Sequence, residues 1–366
     1  MRDQFHTLPI AAVRRETADA LSFALAVPKE LSDTYRYRPG QHLVVRTLLD
    51  GEDVRRTYSI CSDPSDGELW ITVKRVDGGL FSAHAHANLA AGASLEVMPP
   101  AGRFVAPDDG QDGRIYLAIA AGSGITPVMG LIRHVLAREP NSRFTLIYGN
   151  RSVDSIIFRE ALDDLKDRYL GRLAVLHVLS RDVEADVPLL SGRIDADKVQ
   201  RLLPLVAPLG EIDHVYLCGP GSLIKDASKV LLDVGVARER IHFEYFRAGP
   251  ESAERRTPVH RRAGIEAKPA TSATGAEVVV VLDGARQTFQ VPEGQFVVDA
   301  ALAADVRVPY SCKGGMCCTC RAKLVEGEVA MLRNFSLESW EVDAGFVLTC
   351  QAQPRSSRVV LDYDQM

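Results

Sequence analysis

The sequence predicts a multidomain protein with three fold classes in succession: an antiparallel β-barrel, an α/β domain with a doubly wound parallel sheet, and an α+β domain. Short strand-like runs separated by turn residues occupy residues 1–108, and buried apolar runs alternate with helical periodicity over residues 109–247. A segment rich in proline and small residues, 248–273, precedes a cysteine-rich part, 274–366. We interpret these ranges as three domains and a linker, because 366 residues exceed one ordinary domain.

The composition narrows the class of protein. A hydrophobic fraction of 46% with 25% charged residues is typical of a soluble protein with buried cores. The net charge of -5 argues against a nucleic acid as partner. The N-terminus has no apolar signal segment, and no run approaches the roughly 18 apolar residues of a membrane span. We therefore expect no membrane partner and a cytoplasmic location.

The first domain is predicted from three strand-like runs. Each run is apolar or alternates apolar and polar residues, and turn residues bound it. Several such strands joined by regular turns favour a small antiparallel barrel. The runs are Leu21–Val27, His42–Arg46 and Leu69–Val76.

Two short motifs in this domain fit a ligand with a pyrophosphate and a flat ring. In an extended strand Arg56 and Tyr58 share a face, where a guanidinium could bind phosphate and a phenol ring could stack. Further along the chain, the turn from Gly79 to Ser82 opens a predicted helix, 82–89, whose first N–H groups would meet the same phosphates. The alternative is an exposed strand with one arginine, and the glycine turn favours the ligand site over it.

The second domain begins with a run typical of a parallel strand buried on both faces, 114–120. A loop with Gly122 and Gly124 ends this strand, and helical periodicity follows from 128 to 138. Thr126 is predicted as the N-cap of that helix and Pro127 as its first residue. Glycines in a strand-to-helix turn let a dinucleotide phosphate touch the backbone, as in a Rossmann turn, although the third glycine is replaced.

Further strands and helices alternate after this turn, which predicts a doubly wound sheet. Ligands of such sheets bind outside the carboxyl ends of the strands, where Arg151, Ser180 and Arg181 occur, with Cys218-Gly219-Pro220 at another strand end. Two arginines at strand ends suit a 2′-phosphate, so NADPH is favoured over NADH. The alternative is that one or both are ordinary surface arginines. The predicted elements are strands 144–149, 173–179 and 214–218 and helices 154–169 and 222–234.

The last domain begins with a hairpin signal. A strand at 277–282 is followed by the turn Asp283-Gly284 and a return strand through Phe289. A short helix, 296–304, and a cysteine-rich loop come next. A mixed sheet crossed by one helix, the β-grasp arrangement, would hold this loop near the surface.

Four cysteines have the spacing of the ligands of a plant-type [2Fe–2S] cluster. Cys312, Cys317 and Cys320 stand in C-x4-C-x2-C, and Cys350 follows downstream. Structural zinc is the competing interpretation, but zinc sites usually have two C-x2-C arms and this loop has one. A disulfide is a further alternative, although nothing else in the sequence indicates an oxidising compartment.

The cysteine loop contains two glycines and one extra cysteine. Gly314 and Gly315 are expected to coil the loop, since glycine adopts positive φ without a Cβ penalty. Cys318 fits the ligand spacing less well than Cys317, and we interpret it as a packed or partly exposed thiol.

Four further stretches carry a resemblance to a known family: Tyr148–Ser152, Val329–Met331, Asn334–Glu338 and Gly345–Ala352. With the motifs above, the whole chain resembles the ferredoxin-NADP+ reductase superfamily with a plant-type ferredoxin fused at its C-terminus. More specifically, it is similar to the reductase subunits of phenylacetyl-CoA epoxidase systems.

The resemblance implies a cofactor for each motif. The residues implied for FAD are Arg56, Tyr58 and Ser59, with Ser59 near the flavin N5, and Gly79 to Ser82 at the pyrophosphate. Those implied for the nicotinamide dinucleotide are Gly122 to Pro127 and Cys218-Gly219-Pro220, with Ser180-Arg181 resembling a 2′-phosphate site.

The resemblance also implies an order of electron transfer, from NADPH to FAD to the cluster and then to a di-iron oxygenase. A hydride carries two electrons and a [2Fe–2S] cluster carries one, so a flavin is needed between them. Three alternatives stay open: the reductase of another oxygenase, such as a Rieske-type steroid or aromatic ring hydroxylase; a non-catalytic iron–sulfur redox sensor; and a standalone flavin reductase.

Overall fold

The computed structural model describes residues 4–182, 187–206, 208–246, 260–261 and 275–365. The chain divides into two compact units, residues 5–247 and residues 248–366 together with 1–4. The first unit contains a barrel and a parallel sheet, and the second contains the cysteine-rich domain. The predicted linker, 248–273, lies outside the described residues except for His260–Arg261.

Six antiparallel strands and one helix form the barrel. The elements are β1 (His6–Thr17), β2 (Ala20–Leu25), β3 (His42–Leu49), β4 (Glu52–Ser59), β5 (Leu69–Lys74), α1 (Leu80–Asn88) and β6 (Ser94–Val97). The spatial order is β4-β3-β6-β1-β2-β5, and a bridge between Ile60 and Ile71 joins the two edges. Apolar side chains such as Leu8, Phe23 and Leu43 fill the interior. The predicted antiparallel barrel is therefore confirmed.

Five parallel strands with four helices form the second domain. The elements are β7 (Ile115–Ala121), α2 (Ile125–Arg138), β8 (Arg143–Asn150), α3 (Arg159–Arg168), β9 (Leu173–Leu179), α4 (Ala196–Val206), β10 (His214–Gly219), α5 (Gly221–Asp233) and β11 (Ile241–Tyr245). The spatial order is β11-β10-β7-β8-β9. Residues of α2 and α3 belong to one apolar cluster of the sheet, and residues of α4 and α5 belong to another. This is the predicted doubly wound sheet, and its order reverses between β7 and β10, where such folds bind ligands.

A mixed sheet with a crossing helix forms the third domain. The elements are β12 (His260–Arg261), β13 (Ala276–Leu282), β14 (Ala285–Val291), α6 (Val297–Ala303), β15 (Arg321–Glu326), β16 (Glu328–Met331), α7 (Ser339–Asp343), β17 (Phe346–Leu348), β18 (Ala352–Pro354) and β19 (Arg358–Asp362). The main sheet has the order β14-β13-β19-β15-β17, and β12-β16-β18 form a small second sheet. Only the β13–β19 pair is parallel among the pairs of the main sheet in the described residues.

The predicted hairpin at the start of this domain is present. Asp283 and Gly284 both have positive φ, 51° and 74°, as a two-residue turn between twisted strands requires. The strands and the helix fit the predicted β-grasp arrangement, with Val297, Val298 and Ala301 of α6 buried against the sheet.

Helices α1 and α3 are among those that begin at other residues than the sequence predicts. Helix α1 begins at Leu80 rather than Ser82, because Gly79 already forms its N-terminal boundary. Helix α3 begins at Arg159 rather than 154, because Phe158 has a φ of 62° and interrupts the helical backbone.

Two elements of the parallel-sheet domain were not predicted. Helix α4 contains Pro204 in its last turn, which weakens the helical signal. Strand β11 lies at the edge of the sheet, and its polar residues His242 and Glu244 interrupt the apolar run that the other parallel strands show. Across the part of the chain that the structure describes, no helix is long and apolar enough to cross a membrane.

Candidate functional site

The cysteine loop lies between α6 and β15, and Cys350 follows β17 directly. Cys317, Cys320 and Cys350 are buried, and Cys312 is partly exposed. A hydrogen bond joins the Cys312 and Cys317 thiols and another joins the Cys320 and Cys350 thiols, and Cys320 also interacts with Cys312 and Cys317. The structure thus brings together the four cysteines that the spacing predicts as ligands.

The pairing of the thiols favours two iron atoms over one zinc ion. A zinc ion would need all four thiolates around one point. Within the described ranges, no three His, Cys, Asp or Glu side chains are arranged to hold a single metal ion. Two pairs of thiols fit two iron atoms that take two thiolates each.

The backbone of the loop is adapted to anionic sulfur. The backbone N–H of Gly314 donates to Cys312 Sγ at 3.3 Å. The pKa of the Cys312 thiol is lowered, first by the hydrogen bond with the Cys317 thiol and also by backbone N–H groups of the loop. The same hydrogen bond raises the pKa of the Cys317 thiol, so within this pair the thiolate is favoured at Cys312.

Positive φ occurs at other loop positions than the sequence analysis expects. Gly315 has a φ of 76°, but Gly314 does not have positive φ, whereas Lys313 and Cys318 do. Gly315 is also required for space, because a Cβ there would lie 2.9 Å from the carbonyl oxygen of Arg333. Cys318 packs against the domain core as a partly buried residue.

Hydrogen bonds hold the loop to the neighbouring segments. Phe335 N donates to Gly315 O at 3.0 Å, and Gln351 Nε2 donates to Lys313 O at 2.8 Å. Behind Cys320, the Thr349 hydroxyl donates to its carbonyl oxygen at 2.9 Å. These hydrogen bonds fix the conformation of the loop.

In the barrel, the residues predicted for FAD lie on β4 and around the start of α1. Tyr58 and Phe81 of α1 have ring centroids 5.4 Å apart, so the strand and the helix approach each other at this point. Arg56 is exposed and its guanidinium donates to Arg55 O at 2.7 Å. An exposed guanidinium beside a tyrosine ring is chemically suited to a pyrophosphate next to a flat ring.

The turn before α1 contains a depression suited to phosphate. Its volume is about 310 Å³, and it is lined by residues 75–80 and Ala83. The Ser82 hydroxyl accepts from Val76 N and donates to Gly79 O, both at 3.1 Å. Ser82 thus shapes the turn, and the N–H groups at the start of α1 are the phosphate donors the site offers.

In the parallel sheet, the loop after β7 lies against the end of β10. A single 3₁₀ turn, Gly122–Gly124, leads directly into α2, so Thr126 is not the N-cap that the sequence analysis expects; its hydroxyl donates to Ser123 O at 3.0 Å. Pro127 lies in the first helical turn, where its missing N–H costs nothing. A Cβ on Gly124 would lie 2.1 Å from Cys218 O, so only glycine fits here.

The two predicted arginines also lie at one edge of this sheet. Arg181 N donates to Arg151 O at 2.8 Å, and Ser180 N donates to Asn150 O at 2.9 Å. Both arginine side chains are exposed. The structure therefore places Arg151, Ser180 and Arg181 next to one another, with Gly219 and Pro220 at the end of β10.

A further group of residues was missed by the sequence analysis. Glu244 of β11 pairs in register with Cys218 of β10 and contacts two barrel residues, His42 and Ser59. Burial raises the pKa of the Cys218 thiol, and the nearby Glu244 carboxylate makes a smaller contribution in the same direction. The barrel and the parallel sheet thus meet at Ser59, the residue expected beside the flavin.

Three protein families match successive parts of the chain. Residues 7–105 match the oxidoreductase FAD-binding domain, residues 118–229 the oxidoreductase NAD-binding domain, and residues 280–355 the 2Fe-2S iron-sulfur cluster binding domain.

Similar proteins match this chain over nearly its whole length. A component of 1,2-phenylacetyl-CoA epoxidase from Escherichia coli (strain K12) is 43% identical over 362 residues, which is 98% of each chain. The ferredoxin reductase component of 3-ketosteroid-9-alpha-monooxygenase from Rhodococcus rhodochrous is 36% identical, over 97% of this chain and 96% of its own. The crystal structure of phthalate dioxygenase reductase shares the fold with a TM-score of 0.56 at 24% identity, over 98% of each chain.

Proposed function

This chain belongs to the family of flavin and iron–sulfur oxygenase reductases that includes the 1,2-phenylacetyl-CoA epoxidase component of Escherichia coli, and we propose that it delivers electrons from NADPH to the di-iron oxygenase of such a system. It is a reductase component of an oxygenase and an NAD(P)H-dependent oxidoreductase with FAD and a [2Fe–2S] cluster. The proposal adds the order of transfer, the preference for NADPH and the type of oxygenase.

The observation that carries the proposal is the two pairs of cysteine thiols on the same chain as the two nucleotide domains. A bound flavin accepts a hydride and releases its electrons singly, and a cluster carries one electron at a time. A chain with all three sites supports the order NADPH to FAD to cluster to oxygenase. A standalone flavin reductase would have no need of the thiol pairs.

We propose the following contacts for each cofactor. The contacts for FAD are Arg56, Tyr58 and Ser59 with Gly79 and Ser82 at the turn. The contacts for the nicotinamide dinucleotide are Gly122, Gly124, Thr126, Pro127, Cys218, Gly219 and Pro220, and those for its 2′-phosphate are Arg151, Ser180 and Arg181. The cluster ligands are Cys312, Cys317, Cys320 and Cys350.

The domains that carry these sites are proposed as residues 1–108, 109–247 and 274–366, with a linker at 248–273.

The preference for NADPH over NADH is proposed because Arg151 and Arg181 are adjacent at the edge of the parallel sheet. A 2′-phosphate dianion needs charge-assisted donors, and two exposed guanidinium groups at neighbouring strand ends supply them.

The partner is proposed from the degree of similarity. The epoxidase component is 43% identical and the steroid monooxygenase reductase 36%, each over nearly the whole chain. The second relative makes a steroid oxygenase the alternative partner.

The experiment is steady-state oxidation of NADPH by the purified protein with a phenylacetyl-CoA epoxidase oxygenase component. We expect NADPH consumption to depend on phenylacetyl-CoA and to match product formed. In a parallel assay with a ketosteroid monooxygenase oxygenase, substrate should leave the rate unchanged. Coupling to the steroid substrate alone would select the alternative partner. If NADPH is not oxidised even when ferricyanide replaces the oxygenase as acceptor, a redox sensor would be selected.

A further inference from the structure

Helix α2 of the parallel-sheet domain also contacts the barrel. Its N-terminus follows the Gly122–Gly124 turn, which we propose for the nicotinamide dinucleotide. Further along the helix, a Cβ on Gly130 would lie 3.1 Å from Ile60 O and 3.5 Å from Ser62 O. Ile60 directly follows β4, the strand that we propose for FAD. One helix therefore joins the two proposed nucleotide sites.

The glycine at position 130 reflects this close approach. Glycine inside a helix is less stable than alanine, so its presence here indicates a requirement for space. A Cβ at 3.1 Å from Ile60 O would force the helix and the barrel apart by a few tenths of an ångström. The barrel backbone is held on its other side, because Ile60 N donates to Gln41 O at 2.8 Å and Ile60 pairs with Ile71 in a β-bridge. Direct contact thus sets the distance between α2 and the end of β4.

His134, one turn further along α2, makes a second contact with the barrel. Its Nδ1 lies 2.9 Å from Asp63 Oδ2, and the Asp63 side chain is 3% exposed. Oδ1 of Asp63 accepts from Ser65 N at 2.8 Å, so the carboxylate is fixed in its own turn. Burial alone would raise the pKa of Asp63, but hydrogen bonds from His134 and Ser65 lower it to about 2. An ionised carboxylate only accepts hydrogen bonds, so Nδ1 of His134 carries the proton.

We propose that His134 is a positioning residue, which holds helix α2 against the barrel so that a dinucleotide bound at the start of α2 presents its nicotinamide to a flavin bound on β4. This inference rests on the proposed function, which places the two nucleotides there. The step moves one hydride, a proton with two electrons, from the reduced nicotinamide, which is oxidised, to the flavin, which is reduced. Its rate depends steeply on geometry, since a misplacement of about 1 Å can cost about 100-fold.

The test separates the rate of transfer from binding. Anaerobic rapid mixing of the protein with NADPH at several concentrations gives the limiting rate of flavin absorbance loss and the half-saturating concentration. His134→Leu keeps an apolar bulk and removes the donor to Asp63. We expect its limiting rate to fall about fivefold, the worth of one hydrogen bond, with the half-saturating concentration within about twofold of the wild type. In His134→Asn the amide takes the place of Nδ1 and can still donate, so the limiting rate should match the wild type.

Gly130→Ala tests the same contact without removing the hydrogen bond. A shift of a few tenths of an ångström should lower the limiting rate about threefold. Arg138→Gln, at the exposed C-terminal end of α2, is the control and should keep the wild-type rate. If His134→Leu does not bind FAD, Gly130→Ala is compared with His134→Asn.

A role in stability alone predicts a different result. It would lower the thermal unfolding midpoint or the FAD content, while the limiting rate per bound FAD would stay at the wild-type value. Transfer from flavin that dithionite has reduced to ferricyanide does not use the nicotinamide, and we expect it to be unchanged in every variant.

A wild-type limiting rate in His134→Leu or in Gly130→Ala, or equal losses in the Leu and Asn variants, would overturn the role of His134. In each of these cases NADPH would still reduce the bound FAD, and the proposed function would stand. A wild-type protein that binds no FAD, or whose FAD is not reduced by NADPH, would overturn both.

Discussion

Cys317 and Cys318 are neighbours in the chain but have different surroundings. The Cys317 thiol is buried against Cys312, whereas Cys318 adopts a positive φ of 55° and packs against the domain core. The two residues thus differ in backbone conformation and in surroundings. This difference supports Cys317 over Cys318 as the proposed ligand.

Cys317→Ser should remove the visible absorbance of the cluster, because one iron would lose a thiolate ligand. FAD content and ferricyanide reduction should stay within about twofold of the wild type, since these depend on the other unit. Cys318→Ser is the matched control and should keep the cluster. The reverse result would show that Cys318 is the ligand.

Arg181→Ala should raise KM for NADPH at least about tenfold, because one charge-assisted contact to the 2′-phosphate is lost. KM for NADH, which has no such phosphate, should change less than about twofold. The control is Arg36→Ala, an exposed barrel arginine paired with Asp33. Equal increases for both coenzymes would mean that Arg181 does not contact the 2′-phosphate.

At the scale of elements, the β7–α2 turn approaches the end of β10 and forms the crevice that we propose for the nicotinamide dinucleotide. Gly124→Ala should raise the dissociation constant for NADPH at least about tenfold, because its Cβ would overlap backbone atoms of Cys218 that cannot move aside. FAD and cluster absorbance should remain. Gly210→Ala adds a Cβ with no atom within 4 Å and should behave as the wild type. Unchanged binding in Gly124→Ala would contradict the crevice assignment.

The β10–β11 pair contains two adjacent histidines, His214 and His242, with a ring nitrogen of each 3.1 Å from one of the other. Burial, and then the neighbouring His214, lower the pKa of His242 to about 4. In the unfolded chain a histidine has a pKa of about 6.5, so the unfolded state binds the proton first as pH falls. His242 should therefore reduce stability as pH falls from about 6.5 towards 4.

The measurement is the thermal unfolding midpoint of the wild type and of His242→Asn between these pH values. The variant should lose less stability on acidification than the wild type, whatever its midpoint at neutral pH. His84→Asn on α1 is the control and should keep the wild-type slope. Parallel slopes for the wild type and His242→Asn would contradict the buried neutral histidine.

The classes of the elements follow from the sequence, but some contacts of the site do not. Apolar runs and turn residues predict the barrel and the parallel sheet because local periodicity reflects burial on one or both faces. The predicted start of helix α3 was wrong, because no local sequence signal indicates the left-handed backbone of Phe158. Glu244 was missed because its partners His42 and Ser59 are far away in the chain and meet it only after both domains have folded. The cysteines were found because a thiolate ligand set has a fixed spacing in a short loop.

At the scale of the whole molecule, the chain contains two kinds of site in two units. Residues 5–247 combine the barrel with the parallel sheet, and Ser59, Cys218 and Glu244 mark where these two meet. The second unit contains the paired cysteines. With a hydride acceptor in one unit and a one-electron site in the other, the path that we propose for the electrons runs from the first unit to the second.

The order of transfer is tested most directly by rapid anaerobic mixing of the protein with NADPH while flavin and cluster absorbance are followed separately. We expect flavin absorbance to fall first and cluster absorbance to fall afterwards. In Cys317→Ser the first phase should persist without the second. Reduction of the cluster before the flavin, or with the flavin left oxidised throughout, would contradict the proposed path.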